Sequence, residues 1–387
     1  MQKLLSVAQM RAADDYTINT LKIPSEELMR RAGLSIADEV AAVASAESEI
    51  LVVCGSGNNG GDGYVCACEL LKRGFRAAVY ACGGRLSADC EREKAEFGGT
   101  YAQTIGGDII VDCIFGTGLS REVTGEYADV INAINASGAY VISADIPSGM
   151  SGDGGVKLGT AVRADKTVTI GELKTGFALG DGYDLCGAVV KKDIVICLNE
   201  GGYACMYGDE DIAKLFPPRP RNSHKSTFGT ATLICGSRQY IGSAVLAVAA
   251  ALRSGCGYVK AVCPDEVKAA IAPNYPQTVF SVQRDLSSRA IAIGMGCGAS
   301  QSLHGDIESL LNEYSGTLII DADGLNSLAQ YGVEILKNKK CGVVLTPHVK
   351  EFSRISGRSI AEILANPVSV AKQFAAGYGV TVVLKSA

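Results

Sequence analysis

The sequence predicts an α/β protein of two domains, on three observations. Short apolar runs that read as buried strands alternate with amphipathic helical stretches, the pattern of a mostly parallel sheet with crossover helices. The pattern stops at Phe216-Pro217-Pro218-Arg219-Pro220-Arg221, which holds three of the ten prolines, and then begins again. At 387 residues the chain is too long for one typical domain.

Taken in order, Ser6-Val7-Ala8-Gln9 reads as a capping box opening a first helix. A second helix is expected from about Ser25, with Leu28, Ala32, Ile36 and Val40 on one face. Ile50 to Cys54 is a short buried strand that runs into the glycine-rich stretch Gly55 to Gly63. A helix from Tyr64 to Arg73 follows, stopped by Gly74, and then a strand from Arg76 to Ala81. Further strands are expected at 109–113, 140–144, 167–170 and 189–194, with a helix at 127–136. Residues 215–221 cannot continue a helix or central strand and read as a stiff linker between domains at 1–214 and 222–387. The second half gives strands at 231–235, 258–262, 290–293, 318–320, 343–345 and 380–384, and an alanine-rich helix from Ser243 to Arg253. That last strand ends three residues before Ala387, so the second domain is expected to be incomplete at its C-terminus.

Composition narrows the function. The net charge of −5 does not supply the basic face that nucleic-acid binding needs. No apolar run is long enough for a membrane span, and the first residues lack the core of a signal peptide. The 14 cysteines lie mostly within apolar runs and form no C-x-x-C pair, which argues against zinc and for buried thiols in a reducing cytoplasm. Neither nucleic acid nor membrane is an expected partner, and a cytoplasmic homo-oligomer is the expectation.

Three expected strands deliver polar, glycine-flanked loops to what should be one sheet edge. They are Gly55-Ser56-Gly57-Asn58-Asn59-Gly60-Gly61-Asp62-Gly63, then Asp112-Cys113-Ile114-Phe115-Gly116-Thr117-Gly118, then Asp145-Ile146-Pro147-Ser148-Gly149. Glycines let backbone amides approach a phosphate, and a helix N-terminus adds a favourable dipole. Any one of these loops could be a simple tight turn or cap; three on neighbouring connections point to a nucleotide-handling enzyme. Asn59, Asp112 and Ser148 also bring together three oxygen ligands with one negative charge, a set that suits a monovalent cation better than a divalent one.

Together with Leu28-Met29-Arg30-Arg31-Ala32-Gly33, these motifs resemble the NAD(P)H-hydrate epimerase family over residues 1 to 214. The resemblance implies a Rossmann-like three-layer domain that interconverts the R and S hydrates of NADH and NADPH, cofactors damaged by addition of water at C6 of the nicotinamide. It implies a potassium ion on Asn59, Asp112 and Ser148. Contacts to the hydrate fall on Asn58, Asn59, Gly60, Gly61 and Asp62, on Gly116, Thr117, Gly118, Leu119, Ser120, Arg121 and Glu122, and on Asp145. Asp145 and Lys174 are the expected acid/base pair, since a carboxylate and an ammonium held close tune each other's proton affinity. A solvated surface position is the competing reading for Lys174.

The second half resembles the ADP/ATP-dependent NAD(P)H-hydrate dehydratases, which have a ribokinase-like fold. The matching segments are Asn222-Ser223-His224-Lys225, Gly236-Ser237, Ser243 through Gly257, Gly294-Met295-Gly296-Cys297-Gly298, Asp321-Ala322-Asp323-Gly324-Leu325-Asn326, Thr346-Pro347-His348-Val349-Lys350-Glu351-Phe352 and Val382-Val383-Leu384-Lys385. The resemblance implies S-hydrate contacts at Ser243, Gly298 and His348, and an ADP or ATP site with magnesium that begins at Lys385, Ser386 and Ala387. Ser243 stands where the family usually has alanine, and without the resemblance His348 would read as a helix cap. The Gly-x-Gly-Asp anion hole and catalytic Asp of kinases with this fold do not occur after Lys385. The second half is therefore expected not to carry out dehydration by itself. A non-catalytic nucleotide-binding or scaffolding protein is the alternative reading for the whole chain, and a small-molecule kinase fails for want of that Asp.

Overall fold

The computed structural model describes residues 1–198, 201–216 and 218–386. The chain divides into two compact units, Met1–Leu215 and Phe216–Ala387. Pro217 of the proline-rich stretch lies outside the described residues, but Arg219 belongs to the second unit. Its guanidinium donates to the Gly255 carbonyl at 2.8 Å and lies over the Phe228 ring.

The first unit contains strands β1 (Gln2–Leu5), β2 (Glu49–Cys54), β3 (Arg76–Ala81), β4 (Thr100–Tyr101), β5 (Ile109–Cys113), β6 (Tyr140–Ala144), β7 (Lys166–Ile170), β8 (Leu173–Lys174), β9 (Ala188–Lys192) and β10 (Ala204–Met206). Seven of them form one parallel sheet in the order β4-β3-β2-β5-β6-β7-β9. Side chains alternate across it. Ile50, Val52 and Cys54 face a core shared with helices α2 (Ser25–Ala41) and α3 (Asn58–Lys72), while Leu51 and Val53 face one shared with Val130, Ile131 and Ile134 of the helix Glu126–Ala136. Helices on both faces bury the central strands β2, β5, β6 and β7 almost completely, which explains their unbroken apolar runs. This is a Rossmann-like arrangement. Its strand order reverses direction between β2 and β5, and there the two carboxyl ends open a crevice.

Two features depart from the sequence reading. Helix α3 begins at Asn58, six residues earlier than expected, so most of the glycine-rich stretch is helix rather than loop. The glycines serve close packing. A Cβ at Gly60 would fall 2.0 Å from the Gly55 carbonyl oxygen, and one at Gly61 would fall 2.6 Å from the Met29 sulfur. The second departure is β1, which sequence periodicity does not mark because only four residues take part. It forms a separate three-stranded sheet, parallel to β8 and antiparallel to β10, with Leu5 in register with Lys174. The helix α1 (Val7–Asp15) then starts at the expected Ser6–Gln9 capping box.

The second unit repeats the grammar with β11 (Thr230–Ile234), β12 (Tyr258–Val262), β13 (Val279–Phe280), β14 (Ala290–Ile293), β15 (Thr317–Ile320), β16 (Gly342–Leu345) and β17 (Thr381–Val382). All seven are parallel, in the order β13-β12-β11-β14-β15-β16-β17, and the direction reverses between β11 and β14. The final strand is shorter than the expected 380–384, and the alanine-rich helix starts two residues early, at Ile241. Alternate residues of β12, β14, β15 and β16 are fully buried, whereas their neighbours are mostly half-exposed. All 14 cysteines are free thiols.

Candidate active sites at the two strand-order reversals

In the first unit, a crevice of about 590 Å³ opens at the carboxyl ends of β2 and β5. Its walls include Asn58, Asn59, Asp62, Gly116, Thr117, Gly118, Leu119, Ser120, Arg121 and Asp145, so the structure gathers most of the sequence-predicted contacts into one cavity. Gly60 and Gly61 are not among its walls, because they face inward against Gly55 and Met29. Glu122 is not either; it is exposed beyond the end of the loop.

Lys174 is fully buried, and burial is incompatible with the competing reading of it as a solvated surface residue. Its Nζ lies 2.5 Å from Oδ1 of Asp145 and donates to Thr169 Oγ1 and to the Ile170 carbonyl, each at 2.8 Å. The ammonium's three hydrogens thus have three partners. The other Asp145 oxygen, Oδ2, accepts from the Thr117 backbone N–H at 3.2 Å. Asp145 has a φ of +67°, a left-handed conformation that few non-glycine residues adopt, and the turn it makes aims the carboxylate at the Gly116 loop. Gly116 must stay small there, since a Cβ would come within 2.9 Å of Asp145 Oδ2.

Asp112 and Ser148 lie below the crevice, both fully buried. The Asp112 carboxylate accepts from Ser143 Oγ at 2.8 Å, Ser148 N at 2.9 Å, Ser148 Oγ at 2.5 Å and Ile114 N at 3.3 Å. Burial pushes its carboxyl up from the ordinary value, while the bonds from Ser148, Ser143 and Ile114 pull it down. Asn59 stands apart. It is 9% exposed, and neither side-chain Nδ2 nor Oδ1 has a hydrogen-bond partner. A buried amide without partners is costly.

Sequence reasoning missed Asp14 and Arg11, which line the same crevice from α1. Arg11 donates to the Thr117 carbonyl at 3.2 Å. Burial pushes Asp14 up to about 6, with Asp145 adding to the effect and Lys174 opposing it. Burial, and then the nearby Asp145 and Asp14, also push Asp62 well above the carboxylate range.

In the second unit the predicted residues Ser243, Gly298 and His348 follow the carboxyl ends of β11, β14 and β16. Gly298 has a φ of +79°, and its N–H donates to Asp323 Oδ2 at 2.8 Å. Ser243 donates to the Tyr240 carbonyl at 2.7 Å, and a Cβ at Gly296 would fall 2.0 Å from its hydroxyl, so the two positions abut. His348 caps the helix Val349–Ser356, with Nδ1 accepting from the N–H groups of Lys350 and Glu351. It forms an isolated parallel bridge with Lys385, whose Nζ lies 2.9 Å from Asp321 Oδ1. Ser386 follows directly, and Ala387 lies outside the described residues.

Two parallel α/β units, the first with a polar crevice where its strand order reverses, define a two-domain nucleotide-handling enzyme. Family comparison adds the chemistry. Residues 25–176 match the family described as YjeF-related protein N-terminus, and residues 231–387 match the family described as NAD(P)H-hydrate dehydratase. The chain is 32% identical over its whole length to the bifunctional NAD(P)H-hydrate repair enzyme Nnr of Thermofilum pendens, spanning 80% of that protein. The Synechocystis enzyme of the same name is also 32% identical, over 91% of this chain and 72% of its own. A solved ADP/ATP-dependent NAD(P)H-hydrate dehydratase from Bacillus subtilis, co-crystallised with ATP and Mg²⁺, is 30% identical over 46% of this chain, with a TM-score of 0.42. The present chain spans 65% of that dehydratase, just under two thirds. The chain belongs to the bifunctional NAD(P)H-hydrate repair enzyme family, with a Rossmann-like epimerase unit followed by a dehydratase unit of parallel α/β build.

Proposed function

We propose that the first unit interconverts the R and S hydrates of NADH and NADPH in the crevice between Asn59, Gly116 and Asp145. The observation that carries this reading is the buried Lys174 ammonium held against Asp145 beneath the crevice. Inversion at the hydrated carbon needs the hydroxyl or a ring bond to leave and return, and either route moves a proton. Asp145 reaches the crevice and can accept or give that proton, while Lys174 holds its carboxylate in place from below.

A potassium ion fits the residues present. The unpartnered Asn59 amide offers a neutral oxygen, Ser148 another and Asp112 one negative charge, a donor set for a weakly charged hard cation. Bound there, it would offset negative charge beside the hydrate's phosphates and fix the Asn59 side chain. The second unit would use ADP or ATP, with magnesium, to convert the S hydrate to NAD(P)H. Gly298, Ser243 and His348 would hold the hydrate, and the segment from Lys385 the nucleotide.

The test supplies mixed hydrates to the 387-residue chain and follows both epimers by chromatography. Equilibration without ATP, faster in potassium than in sodium, is the expected result for the first unit. Recovery of NADH only with ADP or ATP is expected for the second. Unchanged epimer ratios would sink the epimerase reading.

A further inference from the structure

We infer that Asp14 is a second catalytic carboxylate of the epimerase crevice, acting from the helical wall opposite the sheet edge that carries Asp145. This rests on the epimerase reading above. Met10, Arg11, Asp14 and Ile18 all line the crevice, a spacing that places them along one side of the first helical segment. That segment is fixed at both ends. Ser6 closes its capping box, the Val7 N–H donates to Asp153 Oδ1 at 2.8 Å, and Arg11 ties it to the Thr117 carbonyl. Directly after α1 the helix widens into a π turn, Tyr16–Thr20, held by Thr17, whose hydroxyl donates to the Ala13 carbonyl and accepts from Cys197 N–H. Such local widening is costly and often marks a functional position.

The Asp14 carboxylate makes no hydrogen bond or ion pair among the described residues, though it is partly buried beside Met10, Ile18 and Ile170. A structural carboxylate in that setting would have a partner. Asp14 instead keeps its oxygens free toward the cavity. Its environment holds the proton to about pH 6, so both forms are accessible near neutrality.

The step it performs balances without a co-reactant. The Asp14 carboxyl gives its proton to the hydroxyl on C6, and the C6–O bond breaks with its electron pair leaving in water. The ring nitrogen's lone pair forms the N=C6 bond. Water then adds to the opposite face through an oxygen lone pair, its extra proton passes to Asp145, and the N=C6 pair returns to nitrogen. In the reverse direction the two carboxylates exchange roles, and each exchanges its proton with solvent at the mouth of the crevice. No electron is gained or lost overall.

The experiment measures epimerisation of a single separated hydrate by the full chain, without ATP, from pH 5 to 9. The parent is compared with Asp14→Asn, Asp14→Glu and, as a benchmark, Asp145→Asn. Asp14→Asn should lower kcat by about 10²- to 10³-fold, with KM changed by less than about 3-fold. Asp14→Glu should recover part of kcat and shift the acidic limb of the profile. The charged groups facing Asp14 are Asp145 and Lys174 from the sheet edge, Asp62 from α3, Asp89 from the helix Ala88–Glu96, Arg121 from the loop after β5 and Arg11 from its own helix. An Asp14→Asn enzyme with the parent's kcat and pH profile, or one changed in KM alone, would overturn the proposal. An inactive parent would remove the epimerase reading itself, and Asp14's role with it. If Asp14→Asn fails to fold, the Asp14→Glu profile decides, and a limb identical to the parent's counts against Asp14.

Discussion

Oδ1 of Asp145 and Nζ of Lys174 are 2.5 Å apart, with the lysine fully buried and the aspartate partly exposed at the crevice. The aspartate is the exposed end of a charge pair whose other end is sealed within the fold. Replacing Lys174 by Met should therefore leave Asp145 without its counter-charge, costing roughly 1–3 kcal/mol in urea unfolding. Epimerisation should fall by about 10²- to 10⁴-fold. Asp145→Asn should do comparable kinetic damage with a larger loss of stability, because it leaves the buried Lys174 ammonium without a counter-charge. The double variant should be little worse than either single one, a non-additivity that independent roles would not give.

Asn59 and Asp112 separate binding from folding. Asn59→Leu removes an amide that has no partner in the protein, so its melting temperature in choline chloride should match or exceed the parent's. If Asn59 holds potassium, the parent should gain stability when KCl replaces choline chloride, and Asn59→Leu should not. Asp112→Asn should cost about 2–4 kcal/mol in either salt, because an amide NH₂ would face hydrogen-bond donors from Ser143, Ser148 and Ile114. A variant as stable as the parent would show that those four bonds contribute little.

The elevated proton affinity of Asp14 makes a stability prediction independent of catalysis. Its carboxyl titrates near 6 when folded, against 3.8 for the ordinary value. Below about pH 4 both states hold the proton and the residue contributes no difference. As pH rises to about 6 the unfolded chain releases its proton first, so the parent loses stability across that interval. Asp14→Asn should thus be more stable than the parent above pH 6, by on the order of 2 kcal/mol, and equal to it below pH 4. Denaturation midpoints at several pH values check this; a gap that widens toward acid would contradict the sign.

His348 offers a similar separation in the second unit. Ala at this position removes the cap of the helix Val349–Ser356 and should cost about 0.5–2 kcal/mol. Asn can still cap and should keep the parent's melting temperature. If His348 also holds the S hydrate, both variants should weaken hydrate binding in calorimetry by 10-fold or so, at about 1.4 kcal/mol per tenfold change. Loss of binding in the Ala variant alone would reduce His348 to a cap.

The strands and their polar carboxyl ends were legible because buried parallel strands announce themselves as apolar runs and glycine follows where chains turn sharply. The clustering of Asn58, Asp62, Gly116 and Asp145 followed from that order, whereas Arg121 came from the family resemblance. What stayed hidden depends on packing. The glycines of 60–61 read as a loop because glycine disfavours helices, yet neighbouring backbone and Met29 leave no room for a side chain there. Asp14 sits in an ordinary amphipathic helix beside Asp15, and nothing local distinguishes the crevice-facing carboxylate from its exposed neighbour. Lys174 lies in a two-residue strand, too short for periodicity to show which way it points.

The strand that edges Lys174 has a consequence for how the protein is made. β1 precedes the run from β2 to β7 in the chain, and its parallel neighbour β8 is synthesised only after that run. On the ribosome, the opening segment must wait unpaired while most of its domain emerges, and the epimerase crevice gains its α1 wall only once that late strand arrives. Closing so long a loop is slow relative to local helix formation. Nascent chains stalled before residue 173 should therefore fold the large sheet yet leave their amino-terminal segment open to protease.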